Sequence, residues 1–388
     1  MNGTARVCRR VAAWSLTGSA VAAVAVGAGI NSTPQTHDRP DAWPMFRGSP
    51  MLGGTTNTTL PAPLTLRWSY QAKDSIESSA AIVDGVVYVG VMDGHLLAVD
   101  LETGALRWQY QTAGPVEESS PCVSAGVVYV GDLEGVVHAV DASTGKAKWT
   151  FKTQGEIKSS PNRSGDRVYI GSYDQCLYAL SAGGSLVWKF RAEGPVHATP
   201  AVDGDTVYIS GCDEHLRAID ATTGAERFAV PLGAYAGASA ALRDGQAVVG
   251  TFGNEVQGVD LRTRAIRWTY EDATRSFPFY SSAALTDTRA VVGGRDKLVH
   301  GLDRQTGKSA WTFTTKARVE SSPLVAGTRV FIGSNDGILY ELDVLTGTKT
   351  WEFTAGAPIS ASPAAAQGAL VIGSQDGVLY CFGKRGGS

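Results

Sequence analysis

The chain has 388 residues and a formal charge of −3, with 34 Lys and Arg set against 37 Asp and Glu. The two signs are interspersed and no run of Lys or Arg occurs, so neither nucleic acid nor an anionic membrane surface finds an electrostatic handle. Length alone would suggest two or three domains, but an internal repeat of about forty residues overrides that prior, because one such unit cannot bury its apolar face alone.

In chain order, Arg6, Arg9 and Arg10 precede an uncharged stretch over 11–30 rich in Ala, Val and Gly, and polar residues follow. This is the pattern of an export segment. Cleavage after Ala28 suits the residues before it, and if uncleaved the same stretch is long enough to hold the chain to a bilayer. Residues 1–30 are therefore read as a signal peptide or N-terminal anchor, and the protein as secreted or extracytoplasmic. Cys8 lies before the apolar stretch, where a lipoprotein cysteine cannot be, so no lipid anchor is expected. Residues 31–63 read as an extended lead-in.

From 64 to 382 one pattern runs eight times: Ser-Ser-Pro, an apolar strand ending in Gly, an Asp-Gly type turn, a second strand, Asp-x-x-Thr-Gly, and a Trp strand. In the copy from Glu118, Pro121 opens strand A, Val127–Gly131 is a β-branched strand B, 136–140 is strand C and 148–151 is strand D. Asp141 can cap the C-to-D turn and Gly145 supplies its positive φ. The docking position reads Trp68, Trp108, Trp149, Trp188, Phe228, Trp268, Trp311 and Trp351. Its recurrence argues for packing between repeats rather than for a ligand platform.

The first Trp has no repeat before it, and the last unit stops before any Trp strand. The piece over 64–71 thus supplies what the final repeat lacks, and the prediction is an all-β, eight-bladed propeller of four-stranded antiparallel blades. Its ring closes when the N-terminal strand joins the last blade. Residues 383–388 form a short tail.

After signal removal four cysteines remain, and an exported protein permits disulfides. Aligning the repeats puts Cys176 and Cys212 at corresponding turns of neighbouring blades, where a bridge is geometrically allowed; the alternative is two separate thiols. Cys122 and Cys381 fall within strands and read as buried and free.

The run Ala139, Asp141, Thr144, Gly145, Lys146 and Trp149 resembles the tryptophan-docking repeat of the propellers similar to pyrroloquinoline quinone (PQQ) enzymes. That family includes quinoprotein dehydrogenases and non-catalytic BamB-like proteins. The segment 42–48 also looks like the lead-in of many members. Three departures, Phe228 for Trp, Arg264 for the turn Gly and Ser181 for Asp, predict locally less regular blades.

The face carrying the B-to-C turns and D-to-A connections is where the repeats differ, and variable loops on a rigid ring are where binding usually sits. The position before each Ser-Ser pair reads Glu77, Glu118, Lys158, His197, Gly237, Tyr280, Glu320 and Ser360, and these are expected around the mouth of the central channel. Arg295 joins them from a B-to-C turn, and a longer connection into the sixth blade adds Phe277, Phe279 and Tyr280 as candidate anchors or as packing for the next blade. Glu77, Glu118, Lys158, His197, Phe277, Phe279, Tyr280, Arg295 and Glu320 are the candidate partner-binding set.

The resemblance implies that a quinoprotein would need an Asp base, Glu and Asn or Asp calcium ligands, an Arg near the quinone and commonly a disulfide of adjacent cysteines. No Cys-Cys pair and no long inserted loops occur, and neither PQQ nor calcium is expected. No catalytic residue and no metal ligand is assigned: the Gly-x-Ser-x-Gly, His-Glu-x-x-His and phosphate-loop patterns are missing. The expectation is a monomeric, non-enzymatic scaffold that binds a protein or peptide. A degenerate quinoprotein or other small-ligand enzyme, and a membrane-held extracytoplasmic sensor, are the alternatives.

Overall fold

The computed structural model describes residues 41–272 and 274–384. The export segment, the start of the lead-in and the end of the tail lie outside the described residues. Eight sheets carry the repeat, each with strand order A-B-C-D from the axis outward. The first blade comprises Ala81–Val83, Val86–Val91, His95–Asp100 and Leu106–Gln111. Its strand B is buried throughout, because both faces of a central strand meet neighbouring blades, whereas strand D alternates with solvent. The last blade is Ala364–Ala366, Ala369–Gly373, Val378–Gly383 and then Thr65–Gln71, so the N-terminal strand does close the ring on its outer edge. No helix occurs among the described residues.

Every C-to-D pairing carries a register shift beside the docking residue, as between Ala147 and Trp149. The bulge turns the indole out of the sheet toward the next blade. There the Trp68 N–H donates to the Leu101 carbonyl at 2.9 Å, and Trp108, Trp149, Trp188, Trp268 and Trp311 repeat the bond one blade on. The indole also lies under the turn glycine: a Cβ on Gly145, at φ +69°, would stand 2.7 Å from Trp108. Trp351 faces the closing blade, which has no C-to-D turn to offer, and packs on Phe353 and Phe382 instead.

The expected irregularity at the atypical repeats is corrected by the structure. Arg264 takes the glycine's left-handed conformation at φ 58°, and its guanidinium sits 4.9 Å over the Phe228 ring. The two exchanges compensate each other, since a smaller ring leaves room for a side chain above it. Ser181 caps its turn by accepting from the Ser185 N–H, and the strands of these blades keep their usual order.

The lead-in is not merely extended: it runs through the ring and bonds to every blade, to the inner strand of the first seven and to the A-to-B turn of the eighth. Trp43 exchanges two backbone bonds with Ile82 of the first blade. The Pro44 carbonyl accepts from Val123; that of Pro50 accepts from Val202 and from the Asn162 amide; Met51, Gly53 and Gly54 receive Leu242, Leu285 and Val325. Thr55–Thr56 adds a parallel strand to the seventh blade, and Asp41 and Thr58 reach Gln367 and Gly368 of the eighth. Within this plug Arg47 is fully buried and donates to the Ala283 carbonyl at 3.0 Å, and burial lowers its pKa to about 9.

Candidate functional site

With the lead-in filling one side, the channel becomes a cup of about 270 Å³ that opens on the variable face. Half-buried Phe46 of the plug lines it, together with all eight residues that precede the Ser-Ser pairs. Below these lies a closed circle of hydroxyls. The backbone N–H of Ser79 donates to the Ser120 Oγ, Ser120 to Ser160, Ser160 to Thr199 and Thr199 to Ser239. Ser239 then donates to Ser282, Ser282 to Ser322, Ser322 to Ser362, and Ser362 back to Ser79 at 2.9 Å.

The rim is knitted across the mouth. Tyr280 donates its phenol proton to Glu118, 2.8 Å from either carboxylate oxygen, and lies 2.7 Å from His197 Nε2. His197 Nδ1 is 2.8 Å from the Tyr173 hydroxyl. Side chains entering the second, fourth and sixth blades therefore converge. Burial, reinforced by the Glu118 charge, pushes the Tyr280 pKa far up, so the phenol stays protonated and donates. Burial also raises Glu118, but the bond and charge of His197 and the Tyr280 bond outweigh it and hold the carboxyl below its ordinary value.

The other charges pair off. Lys158 lies 2.8 Å from Glu117, and Arg295 lies 2.7 Å from Glu320 while covering the rings of Tyr280 and Phe252. Glu77 differs, for among the described residues its carboxylate accepts a hydrogen bond only from the Ser75 hydroxyl, at 3.3 Å. Burial, then the charge of Glu117, raises its pKa.

The connection into the sixth blade divides its aromatics. Phe279 is only 2 % exposed and packs edge-on against His300 and Tyr270, so as a partner anchor it is corrected: it belongs to the core of the blade interface. Phe277 is 50 % exposed, and two aromatics outside the candidate set accompany it, Tyr235 at 54 % and Phe252 at 36 %. Phe252 N–H donates to the Tyr235 carbonyl, and the Asn254 amide donates to Ser276, which brings the three loops together. The sequence gives little signal for this, because the same B-to-C turn position carries Met92, Leu133, Tyr173 and Cys212 in other blades.

The disulfide between Cys176 and Cys212 is also corrected, both being free thiols. Cys176 belongs to the apolar cluster between the second and third blades, with Tyr129, Ile157 and Tyr178, whereas Cys212 lies on the fourth blade. Asp272, Asp296 and His300 gather their ligand atoms within 4.8 Å of one another. His300 Nε2 is already on Asp296 at 3.0 Å with Tyr270 on Nδ1, and the same tie recurs as Asp132, His138 and Tyr110. The recurrence identifies a strut between blades.

Comparison with known proteins places this geometry. A family model described as outer membrane protein assembly factor BamB matches residues 62–121, 115–183, 134–276 and 254–388, and so spans all eight blades. The chain belongs to this BamB family. Among solved structures, BamB from Moraxella catarrhalis is similar with a TM-score of 0.71 at 19% identity, over 82% of this chain and 99% of that one. Quinohemoprotein alcohol dehydrogenase from Comamonas testosteroni has a TM-score of 0.79 at 16% identity, over 90% of this chain and 81% of that one. A europium-containing methanol dehydrogenase reaches 0.74 at 16% identity, over 89% and 98%. At these identities the likeness shows the shared propeller and not the chemistry. None of the curated proteins compared matches the chain.

Proposed function

We propose that the protein is an exported, non-enzymatic member of the BamB family that binds a protein or peptide through the variable face. The observation that carries this reading is the exposed aromatic group of Tyr235, Phe252 and Phe277 beside Arg295. Aromatic and Arg side chains are the usual anchors of partner surfaces, and here they project from loops held by a rigid ring. The export pattern over 1–30 agrees with the extracytoplasmic setting of an outer membrane assembly factor.

The donor chemistry of the cup argues against a quinone and calcium. A calcium ion takes six to eight oxygens at about 2.3–2.6 Å. Glu118 is committed to Tyr280 and His197, and Glu320 to Arg295, Arg318 and Asn335, which leaves Glu77 as the one carboxylate on the rim with little to hold.

The test is affinity capture from the native envelope with wild-type protein and with the Tyr235→Ser/Phe277→Ser variant, both side chains being half exposed. Loss of about 2 kcal/mol or more of binding is expected if these are anchors. A partner retained at full affinity would remove the reading. A thermal shift or absorbance change on adding PQQ and calcium would favour the enzyme alternative instead.

A further inference from the structure

The circle of hydroxyls has a chemical consequence beyond closing the ring. Each Ser or Thr hydroxyl has one proton to give and two lone pairs to receive. In all eight, one lone pair is taken by the neighbouring blade's N–H. Ser120 gives its proton to the Glu118 carbonyl. The other seven line the cup, are at most 6 % exposed, and find no acceptor among the described residues. A buried donor without an acceptor is costly, so a circle of seven calls for a ligand or water that offers oxygen on every side.

Charge narrows the class. Lys158 and Arg295 are each neutralised by a carboxylate of the protein, so an anion would meet Glu77 and Glu118 with no free cation among the described residues lining the cup to compensate. A simple cation would leave the hydroxyl donors unanswered. A neutral polyhydroxylated ring satisfies both: its oxygens accept from the Ser and Thr hydroxyls, and adjacent hydroxyls of its own donate to the Glu77 carboxylate, which otherwise accepts from Ser75. Phe46 of the plug, half-buried and lining the same cup, provides apolar surface for a C–H face. The volume, about 270 Å³, lies just below the range of roughly 300–1,000 Å³ for small-molecule pockets and equals about nine waters at about 30 Å³ each.

We propose that the cup binds a neutral saccharide of one-ring size, either free or as the terminal residue of a glycan. Because the lead-in occupies the other side of the channel, the sugar enters from the variable face and a longer chain cannot thread through. The site does not rest on the partner surface: Tyr235 and Phe277 are not among the residues that line it.

Saturation-transfer NMR on the purified chain tests this with D-glucose, D-galactose, D-mannose and N-acetylglucosamine, each at about 10 mM and each also as a disaccharide. Transfer to at least one ring is expected. Signal from the free sugar alone identifies a metabolite site, and equal or stronger signal from the non-reducing ring of the disaccharide identifies a glycan terminus. Glu77→Gln should weaken binding about tenfold without lowering the melting temperature of the protein. Ser239→Thr retains the interblade bond, as Thr199 does, and should abolish binding by placing a methyl in the cup. The Tyr235→Ser/Phe277→Ser variant should bind the sugar unchanged. The proposal is overturned by no transfer from any sugar, by transfer that survives both cup substitutions, or by response to putrescine or inorganic phosphate in place of sugar.

Discussion

Glu77 and Glu118 occupy the same place in adjacent repeats, yet their surroundings move them in opposite directions. Glu118 is held below the ordinary 4.5, so it stabilises the fold above that value and the contribution is lost as pH falls through the folded pKa. Glu77 is raised above 4.5, so its ionised form is a penalty at neutral pH that disappears as pH falls toward 4.5. Thermal melts should therefore show Glu77→Gln gaining on the order of 1–2 °C at pH 7 and nothing near pH 4.5. Glu118→Gln should lower the melting temperature at pH 7 and flatten its acid-side decline. An equal response of both variants at both pH values would show that the two carboxyls do not differ as described. Sequence placed both residues at the channel mouth. It could not tell them apart, because the difference comes from His197 and Tyr280, which lie 79 and 162 positions from Glu118 along the chain but within hydrogen-bonding distance in space.

At the scale of elements, the strand Thr65–Gln71 and the plug that precedes it do different jobs. The strand covers the outer edge of the last blade, so deleting 64–71 should leave Val378–Gly383 as an open edge, and size-exclusion chromatography should then show association or aggregation. The plug ties the inner strands. Trp43, 2 % exposed and bonded twice to Ile82, is its anchor on the first blade, and Trp43→Ala should cost about 3–5 kcal/mol in chemical denaturation. A loss below 1 kcal/mol would mean that the plug is peripheral. The closing strand was legible from the phase mismatch between the chain ends. The plug was not, since a segment without alternation or repeat has no pattern from which its partners can be read, and its bonds go mainly through backbone carbonyls that every sequence possesses.

For the molecule as a whole, the hydroxyl circle distributes closure over eight equivalent bonds. Replacing any one acceptor by Ala leaves a buried N–H without a partner, at a cost of about 1–3 kcal/mol. Ser282→Ala, mid-chain, and Ser79→Ala, which removes the Oγ that accepts the Ser362 N–H across the seam, should therefore lose similar stability in denaturant titrations. A much larger loss at Ser79 would show that the seam is the weak point and that the circle does not share the load. The same symmetry explains why binding chemistry gathers where the repeats depart from one another. Eight like units supply a rigid ring and a circle of donors, and the connections between them supply the rim charges and exposed rings.

The repeat by itself determined the blade count, the strand order, the Trp docking and the closure, because each follows from local periodicity and from spacing along the chain. Only the tertiary structure decided which funnel residues meet, that Phe279 is core while Phe277 is surface, that Cys176 and Cys212 face different neighbours, and that the lead-in turns a channel into a cup. These depend on the direction in which side chains leave neighbouring blades, and on backbone bonds between residues hundreds of positions apart. Neither leaves a period in the sequence.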